Sequence, residues 1–152
     1  MKLKKLLKIV YKNMKITGLK IRTSNNKAEE IWKLWERFYS EWHKDKLWLN
    51  EKNIYAVYHN YELNQSGKFD IQYGNYDLLI GWISNIEWYD FINIENNNYK
   101  IFEVNWQTGK EIFSTWQDIW NSNLKRIFNT DYELYSFESN AQTKISVHIW
   151  TY

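Results

Sequence analysis

The stretch TGKEIFSTWQDIWNSNLKRIFNTDYELY, Thr108 to Tyr135, changes its hydrophobic period part-way along, and that change decides the fold. Thr108 and Glu111 have the spacing of a capping box, in which the Thr hydroxyl accepts a backbone N–H three residues on while the Glu side chain reaches back. A helix is expected to start here. Ile112, Trp116, Ile119, Trp120 and Ile127 follow at steps that share one helical face. After Asn129-Thr130-Asp131 the period becomes two, which puts Glu133, Tyr135 and Phe137 on one side of a strand and Tyr132 and Leu134 on the other. A lone carboxylate, Glu133, is thereby set among aromatic rings. Buried there, it needs a partner, a raised pKa or a positively charged ligand.

Outward from this stretch the same two periods recur. Met14 to Arg22 alternates as a strand around Gly18, where a bulge or a close backbone approach is expected. Asn26 with Glu29 offers a helix start, and Ile31, Leu34, Trp35, Phe38 and Trp42 continue it for about four turns. Asn53 to Tyr61, NIYAVYHNY, is a strand with Tyr55, Val57, His59 and Tyr61 on one face and Ile54, Ala56 and Tyr58 on the other. Glu62 to Lys68 is read as a hairpin, and Phe69 to Trp82 as a strand broken at Gly74, with Gly81 a second such break. Tyr99 to Trp106 and Lys144 to Thr151 are strands. Residues 84–98 leave strand and turn open. The order is strand-helix-strand-strand twice, at about 14–82 and 98–151. The expected fold class is α+β: duplicated strand-helix-strand-strand units forming a curved antiparallel sheet, with two main helices and a central ligand groove.

Composition narrows the function. The 152 residues suit one domain, here 14–152, behind a basic extension at residues 1–13. Ten Trp and twelve Tyr supply more ring surface than a core requires, leaving some for a ligand. The absence of cysteine excludes disulfides and thiolate chemistry and fits a reducing cytoplasm. His43, His59 and His148 lack metal-ligand spacing, so no metal is assigned, and no cofactor fingerprint occurs. Five lysines fall in residues 1–13, so the remainder holds fifteen basic against eighteen acidic residues. That leaves no folded basic patch, and direct nucleic-acid binding is not expected. No apolar run reaches the ~18 residues of a membrane span. In the extension, Leu3, Leu6, Leu7 and Val10 would line one helical face, which allows a membrane-surface reading; a dispensable extension ahead of Met14 is the simpler one.

The segments KITGLKIRTSN, IWKLWERF, IYAVYHNYE, GNYDLLIG and YKIF, and above all WQDIWNSNLKR followed by DYELY, resemble the effector-binding domain of bacterial transcription activators, the GyrI-like family, from about Lys15 to Tyr152. The family carries an acidic-aromatic-Glu-x-Tyr motif that Asp131-Tyr132-Glu133-Leu134-Tyr135 fits. The segment between Glu62 and Gly74 is longer than is usual there and would reshape one groove edge. The resemblance implies a ligand groove between the helices and a bulky, hydrophobic, aromatic, cationic ligand held by rings and a central Glu, which is Glu133. Candidate ligand-binding residues are Glu133, Trp116, Trp120, Trp35, Trp106, Tyr55, Tyr76 and Tyr135. Helix-face Trp more often fills a core, so only some of the four are expected in the groove. Arg126 or Lys144 would be the internal partner if Glu133 were purely structural. Many members carry a DNA-binding domain, which thirteen residues before Met14 cannot form, so a stand-alone member is expected. The expected function is a cytoplasmic effector-binding protein that senses or sequesters such a compound, with no catalytic residue. Two alternatives stand beside it: a hydrolase of a cyclopropane-type toxin working through Glu133 and Tyr135, and an interaction module partnered by gyrase or a separate regulator.

Overall fold

Among the described residues, aliphatic and aromatic residues at alternate positions make seven strands of one sheet, and the two amphipathic stretches make helices that pack on one of its faces. The computed structural model describes residues 13–44, 52–87, 89–105, 107–137 and 143–152. In chain order the elements are β1 (Asn13–Ser24), α1 (Ala28–Lys44), β2 (Asn53–His59), β3 (Asn75–Ile83), β4 (Asp90–Glu95), β5 (Tyr99–Val104), α2 (Glu111–Asn121), β6 (Thr130–Phe137) and β7 (Thr143–Trp150). Of the expected basic extension, residues 1–12 lie outside the described residues and Asn13 opens β1.

Every strand pairing is antiparallel, in the order β4-β1-β3-β2-β6-β7-β5. With β4 set aside, β1-β3-β2 and β6-β7-β5 are the same unit met from opposite ends, which is the expected duplication. β2 and β6 form the seam between the units, paired from Asn53 with Ser136 to His59 with Thr130. The undecided stretch 84–98 supplies β4, an edge strand against β1 that the duplication does not require.

Gly18 faces Gly81 in unbroken register, so of its two readings the close approach of β1 and β3 holds; a Cβ on Gly18 would lie 2.0 Å from the Ile80 carbonyl oxygen. Other local expectations are corrected: Gly81 lies inside β3 and does not break it. β3 begins at Asn75 and not at Phe69, because the Asp70 carboxylate accepts the N–H groups of Gln72 and Tyr73 and closes a turn. α2 starts at Glu111, after the capping residues: Glu111 accepts the N–H groups of Thr108 and Gly109 from inside its first turn. It ends at Asn121, so Ile127 lies beyond the helix, and the Ile127 N–H donates to the Trp150 carbonyl.

Two cores form on the helix side. Leu34 and Phe38 of α1 pack with Ile54, Ala56, Leu78 and Ile80, and Trp116 and Ile119 of α2 pack with Val104, Ile145, Val147 and Ile149. Each such buried aliphatic side chain contributes ~1.5–3 kcal/mol of transfer free energy. Tyr58 and Tyr135 touch both cores, so the cores meet over the seam. The opposite face buries Ile16, Tyr55, Val57, Leu79, Ile94 and Tyr132.

Candidate ligand-binding site

Glu133 lies on the seam, directly across from Ala56. Period-two alternation on β6 turns it toward the helices with Tyr135 and Phe137, and it is only 3% exposed. Three donors meet it. The Trp116 indole Nε1 donates to Oε2 at 2.6 Å, the Tyr58 hydroxyl to Oε2 at 3.0 Å, and the Tyr135 hydroxyl to Oε1 at 2.7 Å. None of the three carries a charge, and among the described residues no cation is paired with Glu133. Burial pushes its carboxyl pKa up, while the bonds from Tyr135, Trp116 and Tyr58 pull the other way. Counted from the first residue of their strands, Tyr58 and Tyr135 occupy the same place in β2 and β6, so the duplication supplies both hydroxyls. Ala56 is then the counterpart of Glu133, and the carboxylate belongs to one repeat alone.

Between α1 and α2, over this carboxylate, is a cavity of about 650 Å³, inside the ~300–1,000 Å³ range of small-molecule pockets. Tyr58, Tyr61, Tyr76 and Tyr135 line it from the strand side, Trp35 and Tyr39 from α1, and Trp116 and Trp120 from α2. The rings brace one another edge-on: Trp35 on Tyr135 at 5.1 Å, Trp116 on Tyr58 at 5.2 Å, and Tyr61 on Phe69 at 5.0 Å between centroids. Trp32 and Phe113, 69% and 56% exposed, also line it and bring large apolar surface to its solvent side. Burial raises the pKa of Tyr58, Tyr61 and Tyr135, which keeps them as neutral phenols and hydrogen-bond donors. The result is a hydrophobic chamber with one buried carboxylate on its floor.

Six of the eight residues expected at the site line this cavity: Glu133, Trp116, Trp120, Trp35, Tyr76 and Tyr135. Tyr55 does not. The alternation that aims Ala56 and Tyr58 at the helices aims Tyr55 at the opposite face, where its hydroxyl approaches the Met14 sulfur at 3.9 Å and its ring lies 5.9 Å from that of Tyr132. Trp106 lies outside the described residues. Tyr61 was expected to face with Tyr55 and instead lines the cavity, because Asn60 takes left-handed backbone (φ 52°) and breaks the alternation. Arg126, a possible partner of Glu133, pairs with Asp131 at 2.8 Å, and Lys144 is not among the donors to Glu133.

Tyr61, Phe69, Trp32 and Phe113 line the cavity without being among the candidate residues, and Arg126, considered only as a partner of Glu133, lines it too. A signal did exist for one of the two exposed rings: Ala28, Ile31, Trp32, Trp35 and Tyr39 form a helical stripe beside the core stripe of Leu34 and Phe38, and the cavity takes the first of them. Among the described residues no group of three or more His, Cys, Asp or Glu side chains could hold a metal, and no helix is long and apolar enough to cross a membrane.

Comparison with known proteins places this geometry in a family. The Bacillus subtilis (strain 168) protein YobU, named provisionally as a transcriptional regulator, is 27% identical over 152 aligned positions, covering 90% of this chain and 89% of YobU. Three solved structures share the fold. SAV2435, solved bound to tetraphenylphosphonium, superposes with a TM-score of 0.68 at 14% identity over 93% of this chain and 90% of its own. The Vibrio cholerae integron cassette protein VCH_CASS2 gives 0.66 at 20% identity over 93% and 92%. A Staphylococcus aureus MU50 protein provisionally assigned to transcription regulation gives 0.63 at 16% over 91% and 92%. Residues 8–151 match the family described as Cass2, integron-associated effector binding protein, and the chain belongs to that family of effector-binding proteins.

Proposed function

We propose that the protein binds a bulky, hydrophobic, aromatic cation in the cavity between α1 and α2, with Glu133 as its counter-charge, and that it senses or sequesters that compound in the cytoplasm. The observation that carries this reading is the dressing of Glu133: a buried carboxylate with three neutral donors, no cation beside it among the described residues, and aromatic walls around it. Neutral donors stabilise the anion without neutralising it, so its field remains available to a positive ligand. The rings add cation–π contacts of ~0.5–2 kcal/mol each and reward apolar bulk. The tetraphenylphosphonium complex of SAV2435 supports the choice of ligand class, since that ion is a lipophilic cation carrying four rings.

The test is a titration of the intact protein with tetraphenylphosphonium and with triphenylphosphine oxide, a neutral three-ring comparator, followed by tryptophan fluorescence. Saturable binding that favours the cation is expected, and failure to bind the cation, or equal affinity for both probes, would overturn the proposal. Hydrolysis at Glu133 is the second reading, because Tyr135 is held at 2.7 Å from the carboxylate and the pair could orient water. Mass spectrometry separates the two. A binder returns a cyclopropane-bearing electrophile at its original mass, whereas a hydrolase returns a water adduct with turnover.

A further inference from the structure

A second charged group borders the same cavity. The Arg126 side chain is 6% exposed and lines the cavity wall, with its guanidinium carbon 4.2 Å from the Phe128 ring centroid and 5.8 Å from that of Trp116. Trp116 is also the residue whose indole N–H binds Glu133 at 2.6 Å, so one side chain connects the cation and the carboxylate. Both groups are buried, so left to Coulomb's law the two would attract more strongly than at the surface, and as a pair they would carry no net charge. Lys110, the other cation lining the cavity, is solvent-exposed at the start of α2 and is screened by water.

Asp131 holds the guanidinium instead. It is fully buried and does not line the cavity; its Oδ2 accepts Arg126 Nη2 at 2.8 Å and the Tyr61 hydroxyl at 2.7 Å, while Oδ1 accepts the Trp150 N–H at 2.9 Å. Three bonds fix the carboxylate rigidly. Arg126 is held less completely, because its buried Nε–H has no partner among the described residues. A guanidinium with an unsatisfied N–H and one carboxylate partner takes the next available acceptor once that partner loses its charge.

We propose that Asp131 is a positioning residue for ligand selectivity: by holding Arg126 it keeps the only buried cation lining the cavity, among the described residues, away from Glu133, and so preserves a negative pole for the ligand. The proposal rests on the reading of Glu133 as the counter-charge. It assigns the two carboxylates of the Asp131-Tyr132-Glu133 stretch different tasks, Asp131 neutralising the protein's own cation and Glu133 meeting the ligand's.

The test measures the preference for tetraphenylphosphonium over triphenylphosphine oxide in the wild type, Asp131→Asn, Arg126→Met and the double variant. Asp131→Asn is nearly isosteric: its Oδ1 can still accept the Trp150 N–H, while its Nδ2 can donate to the Tyr61 hydroxyl oxygen and no longer accepts from Arg126. It should lose about tenfold or more of the cation preference, the size of one charge-assisted contact, without losing affinity for the neutral probe. Arg126→Met should keep the preference at or above the wild-type value, and the double variant should recover it, since neither holds a cation to release. Unchanged preference in Asp131→Asn overturns the proposal. So does a lowered preference in Arg126→Met, which can be read even if Asp131→Asn does not fold. Loss in the double variant equal to that in Asp131→Asn also overturns it, because the pair would then only support the fold. A wild type without cation preference sinks the Glu133 reading itself, whereas loss of preference in Glu133→Gln alongside its retention in Asp131→Asn rejects this inference alone.

Discussion

A buried ionisable group is governed by what can reach it, and the two faces of the sheet show opposite outcomes. On the helix side Glu133 receives three donors; on the other face His148 stacks on Tyr132 at 4.3 Å and 12°, with Nε2 2.8 Å from the Ser146 hydroxyl. Burial lowers the His148 pKa from 6.5 to about 4. Between those values the unfolded chain binds more protons at this residue than the native protein does. The contribution of neutral His148 to stability is therefore fully present above pH 6.5 and is lost as the pH falls from 6.5 toward about 4, at up to ~1.4 kcal/mol per pH unit. Burial also lowers the pKa of His59, so the sharper prediction is a difference: His148→Gln should show a shallower acid-side loss of stability than the wild type in denaturant titrations at pH 4 to 7. Equal slopes would mean that His148 charges in the folded protein. At this scale the sequence was legible where alternation held. It put Glu133 and Tyr135 on one face of a strand, and both line the cavity, but parity alone does not say which face of β2 meets the helices, so Tyr55 is a candidate where Tyr58 reaches the carboxylate. Tyr61 was hidden by one left-handed residue, Asn60.

Among the elements, strands were easier to read than their ends. Alternation located the six strands of the two repeats, whereas β3 starts later than expected because Asp70 and Gly74 build a turn from local hydrogen bonds, and α2 starts later because Glu111 caps from within the helix. β4 stays open in the sequence because IEWYDFINI, which could be a strand, runs straight into the turn Glu95-Asn96-Asn97-Asn98, and its place is set by β1, a partner distant in sequence. The contact between β1 and β3 makes a specific prediction. In Gly18→Ala the new methyl would meet the Ile80 carbonyl oxygen at 2.0 Å and the Gly81 Cα at 2.6 Å, both backbone atoms that cannot rotate away. The strands must separate, so stability should fall by about 3 kcal/mol, the upper end of an overpacking cost, as measured by urea denaturation. A change below about 0.5 kcal/mol would mean that the strands are not in the Gly18–Gly81 register.

For the whole molecule, duplication explains why a site exists where it does. Two like units joined at β2 and β6 leave one helix on each side of the seam, and the space between the helices falls over the strands where the units meet. Duplication also supplies Tyr58 and Tyr135 as matched donors, while the departure from symmetry, Glu133 opposite Ala56, supplies the charge. The repeat order was readable from periodicity. The closing of Arg126 onto Asp131 was not, since it depends on Lys125 to Ile127 lying against the end of β7. The central claim is that Glu133 is the counter-charge for a cationic ligand, and its most direct test is the affinity of Glu133→Gln for tetraphenylphosphonium and triphenylphosphine oxide, each compared with the wild type. Gln keeps the side chain's size and removes its charge. The cation should bind more weakly by on the order of 1–3 kcal/mol while the neutral probe changes little, and thermal stability should hold or rise as an uncompensated buried charge is relieved. Equal loss for both probes, or an undiminished preference for the cation, would contradict the account.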